Sequence, residues 1–182
     1  VEPWLPLKAH THEIEYAIGN KLRRFADIIY SGFQTRHFID GCRWAVRAYD
    51  LALALHQKKK YDVILSRAFP EAAHLPAMKL AEKTNVPWIA NWNDPWDFLR
   101  SGNISGNLRD NLSYVSYRFT RDVTRKASWH TFPGERLRKI MCSYLELSVI
   151  NRSSAIPHIA LPMHKKVTSK EKVKLFKLAW DI

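Results

Sequence analysis

The most constraining feature of this chain is a strand, helix and strand pattern between residues 61 and 92. YDVILS at 61–66 is a short apolar run, EAAHLPAMKLAEKTN at 71–85 has helical periodicity, and VPWIANW at 86–92 is a second apolar run beginning near a proline. Two strands joined by a helix within about 30 residues form a βαβ unit, and the strands of such a unit are parallel. The chain is therefore predicted to build a mainly parallel sheet.

The same alternation continues along the rest of the chain. It predicts an α/β fold with a Rossmann-like, mainly parallel sheet and helices on both faces. Gly32 is expected to end the first helix. Further strands are predicted at 127–132, 154–162 and 174–182, further helices at 12–32, 38–57 and 135–145, and a loop followed by a long basic helix within 103–127.

Composition limits the class of protein. The chain has 182 residues, 46% hydrophobic and 25% charged, which suits one folded domain. Its 29 Lys and Arg against 17 Asp and Glu give a net charge of +12, which favours anionic partners such as phosphorylated substrates, nucleic acid or acidic lipid. The two cysteines, Cys42 and Cys142, lie far apart, so neither a disulfide framework nor a zinc ribbon is predicted, and a reducing cytosol fits best. No apolar stretch approaches the roughly 20 residues of a membrane-spanning helix.

Candidate site residues follow the predicted strands. Ligands of open parallel sheets bind at the carboxyl ends of the strands, where loops and helix N-termini converge. After the strand at 86–92 come Asn93, Asp94 and Asp97, with Trp92 and Trp96 beside them. Amide and carboxylate oxygens next to a flat apolar ring suit the hydroxyl rim and C–H faces of a sugar. The other predicted contact positions are Arg67, Gly134, Glu135 and His158.

Each of these positions has a structural alternative. Asp94 and Asp97 are also typical of turns and caps around Pro95, and both Trp side chains are also typical of a core. Arg67 either clamps a phosphate or lies in solvent. Gly134 and Glu135 open a helix that either binds an anion through free N–H groups or simply begins there. His74 is predicted in the core or at its rim, and the H-T-H-E at 10–13 has no regularly spaced third ligand, so no metal site is predicted.

Three segments together resemble a known family. YDVILSRAFPEAAHLPAMKLAEKTNVPWIANWNDPWDF, then ASWHTFPGERLRKIM, then IPHIALP resemble the N-terminal domain of family 4 glycosyltransferases with the GT-B fold. The resemblance covers about 61–162, and DPW at 94–96 and IPH at 156–158 are its most specific parts. The family's glycine-rich loop and its paired-glutamate motif have no counterpart here, and many members carry His where this chain has Arg67 and Asn93.

The resemblance implies a function. Residues 1–162 would be the acceptor-side domain, without its first strand, and 163–182 a lysine-rich linker and strand leading to a donor-binding domain. Asp94 would be the catalytic residue, and the other candidate residues would bind substrate. The partners implied are a nucleotide-sugar donor, a sugar, lipid or glycan acceptor, and an anionic membrane on the cytoplasmic side, touched by Arg118, Arg121, Arg125 and Lys126 and by Lys58–Lys60. No essential metal and no cofactor are implied, and this chain alone is expected to be inactive.

A second class of function also fits the composition. The positive charge and the seven Trp suit a non-enzymatic module that binds nucleic acid or anionic membrane. Such a module would gather its cations and exposed aromatic side chains on one face. An enzyme would keep the DPW segment in a concave site at the strand ends.

Overall fold

A computed structural model describes residues 21–39, 41–68, 70–96, 99 and 106–157 of the chain. Within them lies a four-stranded sheet in which each strand pairs in parallel with the next along the chain. The strands are β1 (Ile64–Ala68), β2 (Trp88–Trp92), β3 (Trp129–Phe132) and β4 (Ser153–Ala155). The predicted α/β class, a Rossmann-like parallel sheet flanked by helices, is confirmed.

The helices precede and connect the strands. None of the described helices combines the length and the apolar character needed to cross a bilayer. The predicted helix at 12–20, the strand at 174–182 and the segment 163–182 lie outside the described residues. The helices are α1 (Lys21–Thr35), α2 (Cys42–Lys58), α3 (His74–Thr84, preceded by a 3-10 turn at Glu71–Ala73), α4 (Leu108–Asn111), α5 (Tyr114–Lys126), α6 (Glu135–Tyr144) and α7 (Leu147–Asn151).

The prediction that Gly32 ends the first helix is wrong. Helix α1 continues to Thr35 and ends where Arg36 takes a left-handed conformation, with φ of 62°. Gly32 is instead buried against the ring of Phe38, which occupies the space that a Cβ would need. The glycine therefore serves a close contact rather than a turn.

Strand β1 begins three residues later than predicted. Pairing starts where the Ile64 N–H donates to the Pro87 carbonyl, at 2.9 Å. The preceding Tyr61 N–H donates instead to Nδ1 of His56, at 3.2 Å, which holds the start of this segment against α2. Consequently Ser66 and Arg67 lie inside the strand, and not in the loop after it.

The long basic helix predicted after a loop within 103–127 is confirmed as α5, and a short helix that was not predicted, α4, precedes it. Helix α4 ends at Asn111, and Leu112 has extended backbone dihedrals. Ser113 then begins α5, because its hydroxyl accepts the N–H of Ser116 at 3.2 Å and so caps a new helix. A serine in the middle of an apparently helical pattern marks the boundary.

The two faces of the sheet differ in exposure. The three crossovers all step across the sheet in the same direction, and right-handed crossovers then place their helices on one face. Helix α3 contacts β1 and β2, and α6 contacts β3 and β4. We call this the covered face; its buried residues are Ser66, Ala68, Trp88, Ala90, Trp92, His130 and Phe132. The second face carries the alternate residues, among which Leu65 is 68% exposed and Trp129 39%.

Candidate functional site

The exit of β2 carries the main candidate residues. Strand β2 lies between β1 and β3, and its residues Trp88, Ala90 and Trp92 are buried on the covered face. The chain leaves the sheet at Asn93 and Asp94, which are both half-buried at the carboxyl edge. The structure therefore places these two polar side chains at the edge where parallel sheets bind ligands, as predicted.

The sequence predicts that Trp96 lies partly exposed beside Asp94, and this prediction is wrong. Its side chain is only 2% exposed, and its ring makes an edge-to-face contact with Trp92 at a centroid distance of 6.0 Å. The Trp96 carbonyl accepts the N–H of Leu99 at 2.9 Å. An indole this large gains more from burial than from facing solvent, so Trp96 anchors the loop to the core and cannot wall a cleft.

Beneath that loop, Trp92 is held by His130. The indole N–H of Trp92 donates to Nδ1 of His130 at 3.1 Å, and the rings stack at 6.4 Å. Because an indole nitrogen can only donate, Nδ1 of His130 must be unprotonated. The proton of the neutral ring is then on Nε2, which lies 3.2 Å from the carbonyl oxygen of Thr124 and donates to it. This pair fixes one tautomer of a buried histidine.

A second polar group lies next to the first. The indole N–H of Trp88 donates to the hydroxyl of Ser66 at 2.7 Å, and that hydroxyl lies 2.7 Å from Nδ1 of His74. The ring of His74 is also 4.7 Å from that of Trp92. Its Nε2 is buried without a hydrogen-bond partner among the described residues. His74 is therefore a core histidine, as predicted, with one of its nitrogens satisfied.

Both histidines are neutral at ordinary pH. Burial, with a smaller contribution from the nearby His130, lowers the pKa of His74 to about 3. Burial likewise lowers the pKa of His130 to about 4, against an opposing effect of its hydrogen bond to Thr124, while Arg152 lowers it. Histidines so far from their usual pKa do not exchange protons at pH 7. The group is therefore an uncharged part of the core beneath the β2 exit.

The exit of β3 lies next to that of β2. Gly134 precedes α6 with extended backbone and without a side-chain cap, and the space where its Cβ would lie is open among the described residues. The first N–H groups of a helix have no partner within it and favour an anion. Gly134 thus leaves room for a ligand to approach the start of α6.

The side chain of Glu135 has another role. Its two oxygens accept from Arg138, at 2.7 Å and 2.8 Å, and these bonds lower the pKa of the Glu135 carboxyl. Arg138 also donates to Ser153 at 3.0 Å, which joins α6 to β4. The part of Glu135 available to a ligand is therefore its backbone N–H.

Arg67 lies on the second face, within β1, opposite Asn91 in the register of β2. Asn91 in turn pairs with Thr131 of β3, and its amide donates to the Thr131 hydroxyl at 2.8 Å. The next residue in this row is Ser154, which accepts the indole N–H of Trp129 at 3.1 Å. The predicted clamping of a phosphate by Arg67 stays a prediction.

Two of the candidate site residues and the H-T-H-E segment are not described. Asp97, His158 and the H-T-H-E at 10–13 lie outside the described residues. Within the described ranges, no group of three or more His, Cys, Asp or Glu residues could hold a metal ion.

The basic helix α5 has partners for much of its charge. Arg125 pairs with Glu146 at 2.6 Å, and Lys126 pairs with Glu82 at 2.5 Å. Arg121 lies 3.8 Å from Asp122. The first two pairs connect α5 to the start of α7 and to α3, whereas the third lies within α5. The predicted membrane contact through this helix stays a prediction.

Sequence reasoning missed the buried polar group. Ser66 and His130 lie on the covered face because a strand alternates its side chains, and the same period places Trp88 and Trp92 there. Those spacings were visible in the sequence. The register that brings Ser66 opposite Ala90, and Ala90 opposite His130, was not.

Comparison with protein-family models, with curated proteins and with solved structures gives no match to this chain.

Proposed function

We propose that this chain is the acceptor-side half of a glycosyltransferase, which transfers a hexose from a nucleotide-sugar donor to an acceptor. The observation that carries the proposal is the adjacency of two strand exits. Asn93 and Asp94 follow β2, and the open, uncapped start of α6 at Gly134 follows β3, its neighbour in the sheet. Two hydroxyl-binding side chains next to an anion-binding helix start suit a phosphorylated sugar.

Each residue has a role in this proposal. The Asp94 carboxylate accepts hydrogen bonds from the hydroxyl that reacts or from its neighbour, and so orients it. The Asn93 amide binds a further hydroxyl. The N–H groups of the first turn of α6 face the diphosphate, whose negative charge grows as the bond to the sugar breaks. Trp96 contributes by fixing the loop, because its ring is buried.

The setting proposed is the cytoplasm. Both cysteines are buried thiols outside any disulfide, which is the usual state of cysteine in a reducing compartment. The acceptor is a sugar, a lipid or a glycan, and the donor domain is expected outside this chain.

Asp94→Asn tests the proposal. Asparagine forms turns almost as well as aspartate, so the melting temperature should remain unchanged. A hydrogen bond to a charged group is worth about 1.5–3 kcal/mol, so kcat/KM of the full-length enzyme should fall at least about tenfold. Binding to this chain is measured by saturation-transfer NMR with a set of nucleoside diphosphate hexoses and oligosaccharides.

Asp62→Asn is the matched control. Asp62 is an exposed aspartate just before β1, at the opposite edge of the sheet from Asp94. It should change neither binding nor turnover. If Asp94→Asn behaves like Asp62→Asn in both assays, Asp94 is only a turn residue and the proposed site is wrong.

A further inference from the structure

The candidate site needs an aromatic surface that Trp96 cannot provide. A sugar ring has apolar C–H groups on its faces, and an exposed aromatic ring suits such a face. Trp96 is only 2% exposed, so its ring is part of the core and cannot make this contact. Another exposed ring near the two strand exits would complete a site for a saccharide.

Position in the fold separates the exposed aromatic side chains. Tyr61 and Trp129 lie at the starts of strands, at the amino edge of the sheet. Those at 25–38 belong to α1 and the turn after it, and α1 packs against α2. Tyr114 begins α5, within the crossover that connects the two strands whose exits form the site. Among the described residues the exposed aromatic side chains are Phe25, Tyr30, Phe33, Phe38, Tyr61, Tyr114 and Trp129.

Tyr114 lies level with the exit of β2. The N–H of Ser128, two residues after α5, donates to the carbonyl of Trp88 at 2.8 Å, so α5 ends where β2 begins. From Trp88 the strand rises about 17 Å to Asn93, at about 3.3 Å per residue. Helix α5 runs in the opposite direction, and its first residue is about 18 Å from its last, at about 1.5 Å per residue.

Helix α5 is held firmly against the sheet. Its Phe119 and Val123 side chains are buried in the core. The Thr124 carbonyl lies 3.2 Å from Nε2 of His130 and accepts from Arg152 at 3.0 Å. Packed layers of secondary structure are about 10 Å apart, so Tyr114 stands about 10 Å to the side of the β2 exit. One sugar ring does not fill that gap.

The surroundings of Tyr114 indicate the kind of molecule it contacts. Its side chain is 71% exposed. The same turn carries the hydroxyls of Ser113 and Ser116, which lie 3.0 Å apart. A single aromatic ring among hydroxyls suits a sugar face better than an acyl chain, which needs a continuous apolar surface.

We propose that Tyr114 is the aromatic platform of the acceptor site, and that the acceptor is a saccharide of at least two rings. Asn93 and Asp94 bind the hydroxyls of the reacting sugar, and the ring of Tyr114 stacks on the C–H face of the next one. The phenolic hydroxyl of Tyr114 binds a hydroxyl at the rim of that second sugar. This inference rests on the proposed function, and it selects a glycan from the acceptors considered there.

Saccharide binding by the whole chain tests this inference. The probes are immobilised mono-, di- and trisaccharides of glucose, galactose, mannose and N-acetylglucosamine, and calorimetric titration then measures Kd for the saccharide that binds best. Binding should require at least two rings. Tyr114→Ala should raise Kd about tenfold, because covering an aromatic ring accounts for about that factor. Tyr114→Phe keeps the ring and should raise Kd by no more than about threefold.

Tyr30→Ala is the matched control. Tyr30 is 64% exposed, also on a helix, but it lies on α1. Its loss should leave Kd unchanged. Both alanine variants should keep the melting temperature, because exposed side chains contribute little to folding.

Several results would overturn the inference. They are a panel without a bound saccharide, monosaccharides that bind as tightly as disaccharides, and a Tyr114→Ala variant that binds like Tyr30→Ala. A melting temperature several degrees lower in Tyr114→Ala would also do so, since the ring would then belong to the packing of the fold.

Failure of this inference is distinguishable from failure of the proposed function. If Asp94→Asn weakens saccharide binding and Tyr114→Ala does not, the platform is wrong and the proposed function stands. If Tyr114→Ala weakens binding while the full-length Asp94→Asn enzyme keeps its turnover, the saccharide site stands and the proposed role of Asp94 fails.

Discussion

The two faces of the sheet use polar side chains in different ways. On the covered face, Ser66, His74 and His130 bind the indole N–H groups of Trp88 and Trp92 or one another, deep in the core. On the second face, Asn91 and Thr131 form a hydrogen bond between neighbouring strands, beside the far more exposed Leu65. The first group supports packing that cannot rearrange without leaving a buried donor unpaired. The second is closer to solvent, so the sheet depends on it less.

The largest expected effect comes from removing a ring from the covered face. Trp92→Ala deletes a buried indole and leaves Nδ1 of His130 without its donor, so the free energy of unfolding should fall by about 3–5 kcal/mol. Leu65→Ala on the second face should cost about 0.5 kcal/mol or less. Urea unfolding at pH 7 measures both. If the two variants lose the same free energy of unfolding, the two faces of the sheet do not differ in their contribution to stability.

The architecture could be predicted because its signals are local. Apolar runs of strand length alternate with helical periodicity, and this alternation permits little other than a parallel sheet. Strand β2 was predicted almost to its ends, since its apolar run has a proline just before it, at Pro87, and the polar Asn93 just after it. The start of strand β1 was misplaced because it depends on the carbonyl of Pro87, which is distant in sequence, and on a side-chain hydrogen bond of His56 that the apolar pattern does not reveal.

The candidate site was predictable only in part. The position of Asn93 and Asp94 follows from the strand that precedes them. The burial of Trp96 does not, because whether a Trp after a strand turns inward depends on the space beside Trp92. Gly134 was identified from its place before a helix, whereas the engagement of Glu135 by Arg138 depends on side-chain geometry within the first turn of α6.

Acid should weaken the covered face through its histidines. The folded-state pKa values of about 3 for His74 and about 4 for His130 lie below the ordinary value of 6.5. Between about pH 4 and 6.5 the unfolded chain therefore binds more protons, and stability rises with pH. From pH 6.5 to 5.5 the free energy of unfolding should decline by about 2 kcal/mol, or about 1 kcal/mol for each histidine, because an unfolded histidine is only half protonated at pH 6.5.

Protonation has a defined structural cost at His130. A proton on Nδ1 would displace the Trp92 N–H, since both would then be donors. His130→Gln should therefore flatten the dependence of stability on pH by about half, and His74→Gln by the other half. A slope that neither variant changes would assign the acid sensitivity to other groups.

The smallest effect compares two hydrogen-bonding side chains on opposite faces. Ser66→Ala leaves the Trp88 N–H and His74 Nδ1 without their shared partner in the core. Burying such groups unpaired costs about 1–3 kcal/mol, so the free energy of unfolding should fall within that range. Asn91→Ala removes the bond to Thr131 from the second face, where Asn91 is only half-buried, and should cost about 0.5–1.5 kcal/mol.

Ser66→Cys offers a control of similar shape with a weaker hydrogen-bonding group. Its free energy of unfolding should lie between those of the unmodified chain and Ser66→Ala. If Asn91→Ala proves as costly as Ser66→Ala, the second face is covered as tightly as the first, and the surface between Leu65 and Trp129 is part of the core of the folded protein.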